Sequence, residues 1–167
     1  SLGGAERSTW EIAQQLRRIG IETTLLSAVS SQSSDFAIAL CGCDPNKKIS
    51  FSAYQKAVQK YLADNPNDLI HSTLPFDFVD IYHPMGGSYK ESYLRNASSY
   101  PGTLMPLWKR QTHFLNRRRT VYMKAEVQLC RRERISIAAL SAYVKRQCIE
   151  HYEVSDERIH LIPNGVE

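Results

Sequence analysis

The sequence predicts an α/β fold, a mostly parallel sheet with helices on both faces. Three observations point there. Short apolar runs alternate along the chain with stretches of helical periodicity. Those runs are bounded by Gly, Pro, Asn and Ser clusters, as buried parallel strands are. The 167 residues suffice for one domain with a sizeable core, and 43% hydrophobic against 23% charged residues excludes a disordered chain.

Each element has a local reason. Ile12, Ala13, Leu16 and Ile19 recur at spacings of three and four, so residues 5–19 form a helix with one buried face, and Gly20 caps it. Residues 21–27 form a buried strand, and 38–40 a short one before the Asp44-Pro45-Asn46 turn. Ser50 caps a helix reaching residue 63, which Asn65-Pro66-Asn67 breaks. Strands at 68–73 and 78–83 follow, the second ending in the flexible loop Pro84-Met85-Gly86-Gly87. Residues 89–97 are helical, 98–106 with two prolines and a glycine are a break, and 107–131 form a long helix. A strand at 134–140, a Ser141-capped helix over 142–152 and a strand at 159–162 complete the pattern. No internal repeat is evident.

Composition narrows the function. No apolar run approaches the roughly 18 residues of a membrane-spanning helix, and no secretory signal pattern is present. The four cysteines contain one C-x-C pair, Cys41 and Cys43, with Cys130 and Cys148 apart from it. Without CxxC pairs or a Cys/His ladder they read as reduced thiols, a metal or redox role for the C-x-C pair being the minor alternative. Asn96-Ala97-Ser98 matches a glycosylation acceptor, a triplet common by chance.

Three places carry candidate chemistry. Gly3 and Gly4 directly precede a helix, where glycine lets the backbone approach a phosphate and the first N–H groups are unpaired; a plain tight turn explains the pair equally well. Asp80 and His83 fall at the carboxyl end of a predicted strand, where ligands bind in open α/β sheets. There they can orient a sugar hydroxyl or a leaving phosphate, or serve as structural residues. Gly86-Gly87-Ser88 lacks the spacing of a nucleophile elbow. The third place is a basic patch. Between Trp108 and Arg134, nine basic residues, among them Lys109, Arg110, Arg117, Arg118, Arg119 and Lys124, face only Glu126 and Glu133. This local charge of +7 in a chain of net +4 concerns a partner. It reads as a solvated face, as a nucleic-acid surface without a recognised reading motif, or as a membrane-surface helix whose interleaved Trp108, Phe114 and Tyr122 sit at headgroup level.

Gly3-Gly4-Ala5-Glu6-Arg7 with Gly20-Ile21-Glu22-Thr23-Thr24-Leu25-Leu26 resembles the start of family 4 glycosyltransferases just after their first strand. Ile135 to Ala142, Tyr143-Val144-Lys145-Arg146 and Asp156-Glu157-Arg158-Ile159-His160-Leu161-Ile162-Pro163-Asn164-Gly165-Val166 resemble the end of the same N-terminal domain. The middle, Phe78-Val79-Asp80-Ile81-Tyr82 and the Tyr- and Arg-rich helical segment after it, is most similar to the lipopolysaccharide-core glucosyltransferases. The resemblance implies the N-terminal, Rossmann-like half of a GT-B fold, with 1–162 as an acceptor-side domain and 163–167 starting an interdomain hinge. The first strand and the C-terminal donor domain would be missing, leaving this chain inactive alone. It implies sugar transfer with retention from a nucleotide-sugar to a cell-envelope or lipid-linked glycan, without a metal or other cofactor. Asp80 or His83 would then be catalytic, Gly3 and Gly4 would line the cleft, and the basic patch would meet an anionic acceptor or the inner face of the cytoplasmic membrane. The protein is thus expected in the cytoplasm. The alternative is a non-catalytic α/β module whose basic helix binds nucleic acid or anionic partners.

Overall fold

Two serines set where helices begin. Ser50 and Ser141 are extended in backbone, and their hydroxyls accept N–H bonds from Ala53 (3.2 Å) and Val144 (3.3 Å). Each satisfies a first-turn amide that the helix itself leaves unpaired. The computed structural model of the chain describes residues 4–30, 34–44, 46, 48–66, 69–98 and 117–163. The expected break over 99–106, helical turns over 107–116 and hinge residues 164–167 lie outside the described residues. The chain divides into two compact units, Ser1–Asp68 and Leu69–Glu167.

In the first unit, α1 (Gly4–Arg18) ends at the expected glycine. Gly20 has φ of 87° and donates to Arg17 O at 3.0 Å, while Ile21 N–H returns to Leu16 O at 3.0 Å. β1 (Leu25–Ser27) and β2 (Ala37–Ala39) pair in parallel, with Leu25 opposite Ala37. β1 is shorter than the expected strand over 21–27 because the residues before it bond elsewhere. Thr23 Oγ1 donates to Ile21 O at 3.1 Å, and Thr23 O accepts from Arg17 Nη1 at 3.3 Å. α2 (Phe51–Asp64) is tied to β1 by Tyr54, whose hydroxyl donates to Leu26 O at 2.8 Å. Trp10 of α1 lies 4.7 Å from the Phe36 ring, centroid to centroid, and the Arg17 guanidinium lies 5.0 Å from that ring.

The second unit contains β3 (His71–Ser72), β4 (Ile81–Tyr82), α3 (Tyr89–Ser98), α4 (Arg117–Cys130), β5 (Ser136–Ala139), α5 (Ala142–Tyr152) and β6 (Ile159–Leu161). The strands form one parallel sheet in the order β3-β4-β5-β6. Ile137, Ala138 and Ala139 of β5 are all buried, the continuous apolar run of a central parallel strand. Around them the core is Val79, Tyr82, Leu129, Ile135, Val144, Cys148 and Ile159. The described strands thus form parallel sheets of two and four strands, in keeping with the mostly parallel α/β fold expected from the sequence.

The connection from β3 to β4, residues 73–80, contains no helix. It is instead anchored by buried Pro75, Phe76 and Val79, with the Phe76 and Phe78 rings stacked at 5.3 Å. After α5, Arg158 sits in a 3₁₀ turn (Asp156–Arg158) leading into β6. Its guanidinium donates to Cys130 O at 3.2 Å, to Arg132 O at 2.5 Å, and to Ile135 O at 3.1 and 3.0 Å. One side chain therefore closes the carbonyl end of α4 and the approach to β5. No helix among the described residues is long and apolar enough to cross a membrane.

Candidate functional site

The carboxyl edge of the four-stranded sheet is the place to look for a ligand. His83 stands there, directly after β4. Its backbone N–H donates to Ser72 O at 2.8 Å, and its ring is buried. His83 Nδ1 lies 3.2 Å from His71 Nε2, with the two rings stacked at 5.3 Å and 14°. His83 Nε2 has no hydrogen-bond partner among the described residues. Burial, helped by the neighbouring imidazole, depresses the His83 pKa to about 4, and burial also lowers that of His71. Both rings are therefore neutral at neutral pH, one donating and the other accepting.

This has a signed consequence. The folded His83 titrates near 4 and the unfolded residue near its ordinary 6.5. The unfolded chain thus binds more protons between those values. Stability contributed by neutral His83 is complete above pH 6.5 and is lost as pH falls toward 4, at about 1 kcal/mol per pH unit. Urea midpoints between pH 7.5 and 5 should show this slope, and His83→Gln should flatten it. An equal slope in the variant would assign it to other groups.

Asp80 is not beside His83. The sequence places both at the carboxyl end of one strand, but β4 is only Ile81–Tyr82 and Asp80 precedes it. Three residues of extended chain put roughly 10 Å between the two positions. At that opposite edge, Asp80 Oδ2 accepts from Ile70 N at 2.8 Å, its N–H donates to Ile70 O at 2.9 Å, and its O accepts from Ser136 N at 2.9 Å. The carboxylate takes an amide that a longer strand would pair through its backbone, which is why β4 starts late.

Beyond His83 the chain turns through Gly86 and Gly87 into α3. Gly87 has φ of 77°, and a Cβ built on it would lie 3.1 Å from Gln147 Oε1, so glycine is required twice over. The residues that follow the expected flexible loop are held by side chains. Ser88 N–H donates to Gln147 Oε1 at 2.9 Å and Tyr89 N–H to Glu126 Oε2 at 2.8 Å. Lys90 N–H donates to Tyr152 Oη at 3.3 Å, and Glu91 N–H to Ser88 Oγ at 3.0 Å. Four successive amides at the start of α3 are thus held by side chains, three of them from α4 and α5.

Beside this loop a groove of about 400 Å³ is lined by Gly86, Ser88, Glu91, Ser92, Arg95, Tyr143 and Gln147. Glu91 is its centre. Oε1 accepts from Tyr143 Oη at 2.5 Å and from Arg95 Nε at 2.8 Å, and Oε2 pairs with His151 Nε2 at 2.8 Å. Arg95 Nε also reaches Tyr143 Oη at 2.7 Å, and its guanidinium lies 5.0 Å from the Tyr143 ring. The hydrogen bonds from Tyr143, His151 and Arg95 hold the Glu91 pKa down at about 2. Carboxylate, guanidinium, phenol and amide together are groups that bind polyhydroxylated ligands through hydrogen bonds.

The other expected residues are scattered. Gly3, Lys109 and Arg110 lie outside the described residues, as does the side chain of Arg117, the first residue of α4. Gly4 is the exposed first residue of α1, with nothing within 4 Å of its Cβ position. Arg118, Arg119 and Lys124 are exposed on α4, with Arg118 5.9 Å from the Tyr122 ring. Among the described residues no three His, Cys, Asp or Glu side chains converge as metal ligands. Glu126, read from the sequence only as a charge opposing the arginines, is buried on α4 and accepts from Tyr82 Oη at 2.8 Å as well as from Tyr152 Oη. Sequence reasoning missed Glu91, Arg95, Tyr143 and Gln147 as a site. The readable trace was the Glu91–Arg95 spacing of one helical turn.

A family model described as Glycosyltransferase Family 4 matches residues 2–167. No curated protein matches the chain. Among solved structures the chain is similar to the crystal structure of WaaG, a glycosyltransferase involved in lipopolysaccharide biosynthesis. The TM-score is 0.70 with 18% identity, over 100% of this chain and 43% of that one. At that identity the likeness speaks for the fold, and the chain spans less than half the length of that relative.

Proposed function

The chain belongs to glycosyltransferase family 4, and from that premise we propose that it is the acceptor-side part of an enzyme moving a sugar from a nucleotide-sugar to a cell-envelope or lipid-linked glycan. The observation that carries this reading is the polar groove beside the loop after β4, where Glu91, Arg95, Tyr143 and Gln147 of α3 and α5 converge. Similarity to a lipopolysaccharide glycosyltransferase favours an envelope acceptor. Transfer is taken to retain configuration and to need no metal, with the donor bound by the second domain of the GT-B pair and the chain inactive without it. Of the expected catalytic pair, Asp80 or His83, we take His83 as the one serving the transferred sugar, because it follows the carboxyl end of β4. Asp80 braces the opposite edge.

Tyr143→Phe tests the groove. Tyr143 is 39% exposed, so the fold tolerates the change, but the hydroxyl joining Glu91 to Arg95 is lost. In the enzyme that carries both domains, the acceptor KM should rise about tenfold with the donor KM unchanged. A rise confined to the donor KM would move the acceptor elsewhere.

The exposed Arg118, Arg119 and Lys124 of α4 suit an anionic membrane surface. The protein should co-sediment with vesicles containing phosphatidylglycerol and not with phosphatidylcholine alone, and the binding should fall when Arg118 and Arg119 become Gln. Equal binding to both vesicles would remove the basic face from the account.

A further inference from the structure

The hydrogen-bonding capacity left over in the groove is lopsided. Apart from the Ser92 hydroxyl, which can donate or accept, its side-chain acceptors are engaged: Glu91 takes Tyr143, Arg95 and His151, Gln147 Oε1 takes Ser88 N–H, and Ser88 Oγ takes Glu91 N–H. The amides at the start of α3 are engaged too, so the helix end offers an incoming anion nothing. Donors remain. Arg95 is fixed through Nε alone, between Glu91 Oε1 and Tyr143 Oη, and the described residues give Nη1 and Nη2 no partner. Gln147 keeps its Nε2 group, for which no hydrogen bond is formed with the described residues. Gly86 leaves the rim open, with nothing within 4 Å of its Cβ position.

A guanidinium held by its Nε and laid against a tyrosine ring presents its two terminal nitrogens as a fixed fork. A fork of donors matches an oxyanion, which only accepts, better than a hydroxyl, which must also donate. The Glu91 charge persists and offsets part of that of Arg95, but its oxygens are turned to Arg95 Nε, Tyr143 Oη and His151 Nε2, away from the two terminal nitrogens of the fork.

From this geometry we infer that the groove seats an acceptor sugar carrying an anionic substituent, a phosphate or a carboxylate, clamped by Arg95 Nη1 and Nη2. The inference rests on the acceptor reading of the groove and names the class of acceptor. Arg95 is a binding residue here, and Glu91 and Tyr143 position it.

Calorimetric titration of the full chain with glucose, glucose 6-phosphate and glucuronate tests it. At least one anionic sugar should bind about tenfold more tightly than glucose at low salt. Preference for the phosphate or for the uronate identifies the source of the charge. Arg95→Gln should bring the anionic and neutral affinities together, and Arg95→Lys should restore less than half of the difference. The Arg95 side chain is 69% exposed, so these variants should fold as the parent does, which circular dichroism checks. Equal affinity for all three sugars in the parent, lost on Tyr143→Phe, would overturn the anionic preference and leave the acceptor groove standing. Tighter anion binding unchanged in Arg95→Gln would overturn the clamp. No binding of any of the sugars would overturn both.

Discussion

Glu126→Ala should lower the unfolding free energy by about 3–5 kcal/mol, the largest loss expected from a single substitution in this chain. Glu126 is 1% exposed, on a helix whose other described charged side chains, Arg118, Arg119 and Lys124, are exposed. Its two oxygens accept from Tyr82 Oη (2.8 Å), Tyr89 N–H (2.8 Å) and Tyr152 Oη. Burial raises its pKa, and the donors from Tyr152, Tyr82 and Tyr89 oppose that rise. Alanine would strand three donors at once, the buried Tyr82 hydroxyl and the part-buried Tyr89 amide and Tyr152 hydroxyl, and open a cavity between β4, α3, α4 and α5. Glu126→Gln keeps the shape but offers one oxygen and turns an NH₂ toward a donor, so it should cost about 1–3 kcal/mol. Urea unfolding followed by far-UV circular dichroism measures both. If Glu126→Ala unfolds within 1 kcal/mol of the parent, the network does not hold α4.

The second large effect is at Arg158. Four donor contacts to the carbonyls of Cys130, Arg132 and Ile135 close the end of α4 and fix the turn before β5. Charge-assisted bonds to backbone carbonyls at a helix C-terminus also complement its dipole. Arg158→Ala should therefore cost about 2–3 kcal/mol, a fall of about 4–12 °C in the midpoint of thermal unfolding. Arg158→Lys should recover less than half, because one ammonium cannot span three carbonyls in the geometry of the fork. Full rescue by lysine would mean that charge alone is at work.

Arg158 also shows what a sequence can carry without explaining. Asp156-Glu157-Arg158-Ile159 supported the family resemblance, yet its guanidinium bonds 28 residues back along the chain, at Cys130. Elements with local causes were legible. The Ser141-capped helix is found over the expected residues because its cap and its apolar face lie within one short stretch. Strands were overextended where side chains interfere with pairing, as Asp80 does at Ile70 and Arg17 at Thr23. The groove was illegible because Glu91 and Tyr143 meet only when α3 and α5 come together, 52 residues apart. Glu126 misled for the opposite reason. A lone carboxylate among arginines looks like a solvated counter-charge, and only the two tyrosine hydroxyls and the Tyr89 amide show that it is inside.

The side-chain hold on the first turn of α3 bears on how such a groove can change over time. Ser88, Glu126, Gln147 and Tyr152 each hold an amide that would otherwise be left without a partner, so a substitution at any of them disturbs the floor before it alters what the floor binds. Glu91, Ser92 and Arg95 are under no such constraint from their neighbours' amides and can be exchanged with Tyr143 as a wall. Divergence toward new acceptors is thereby channelled into one helical turn and one facing tyrosine, above a foundation that must be inherited whole.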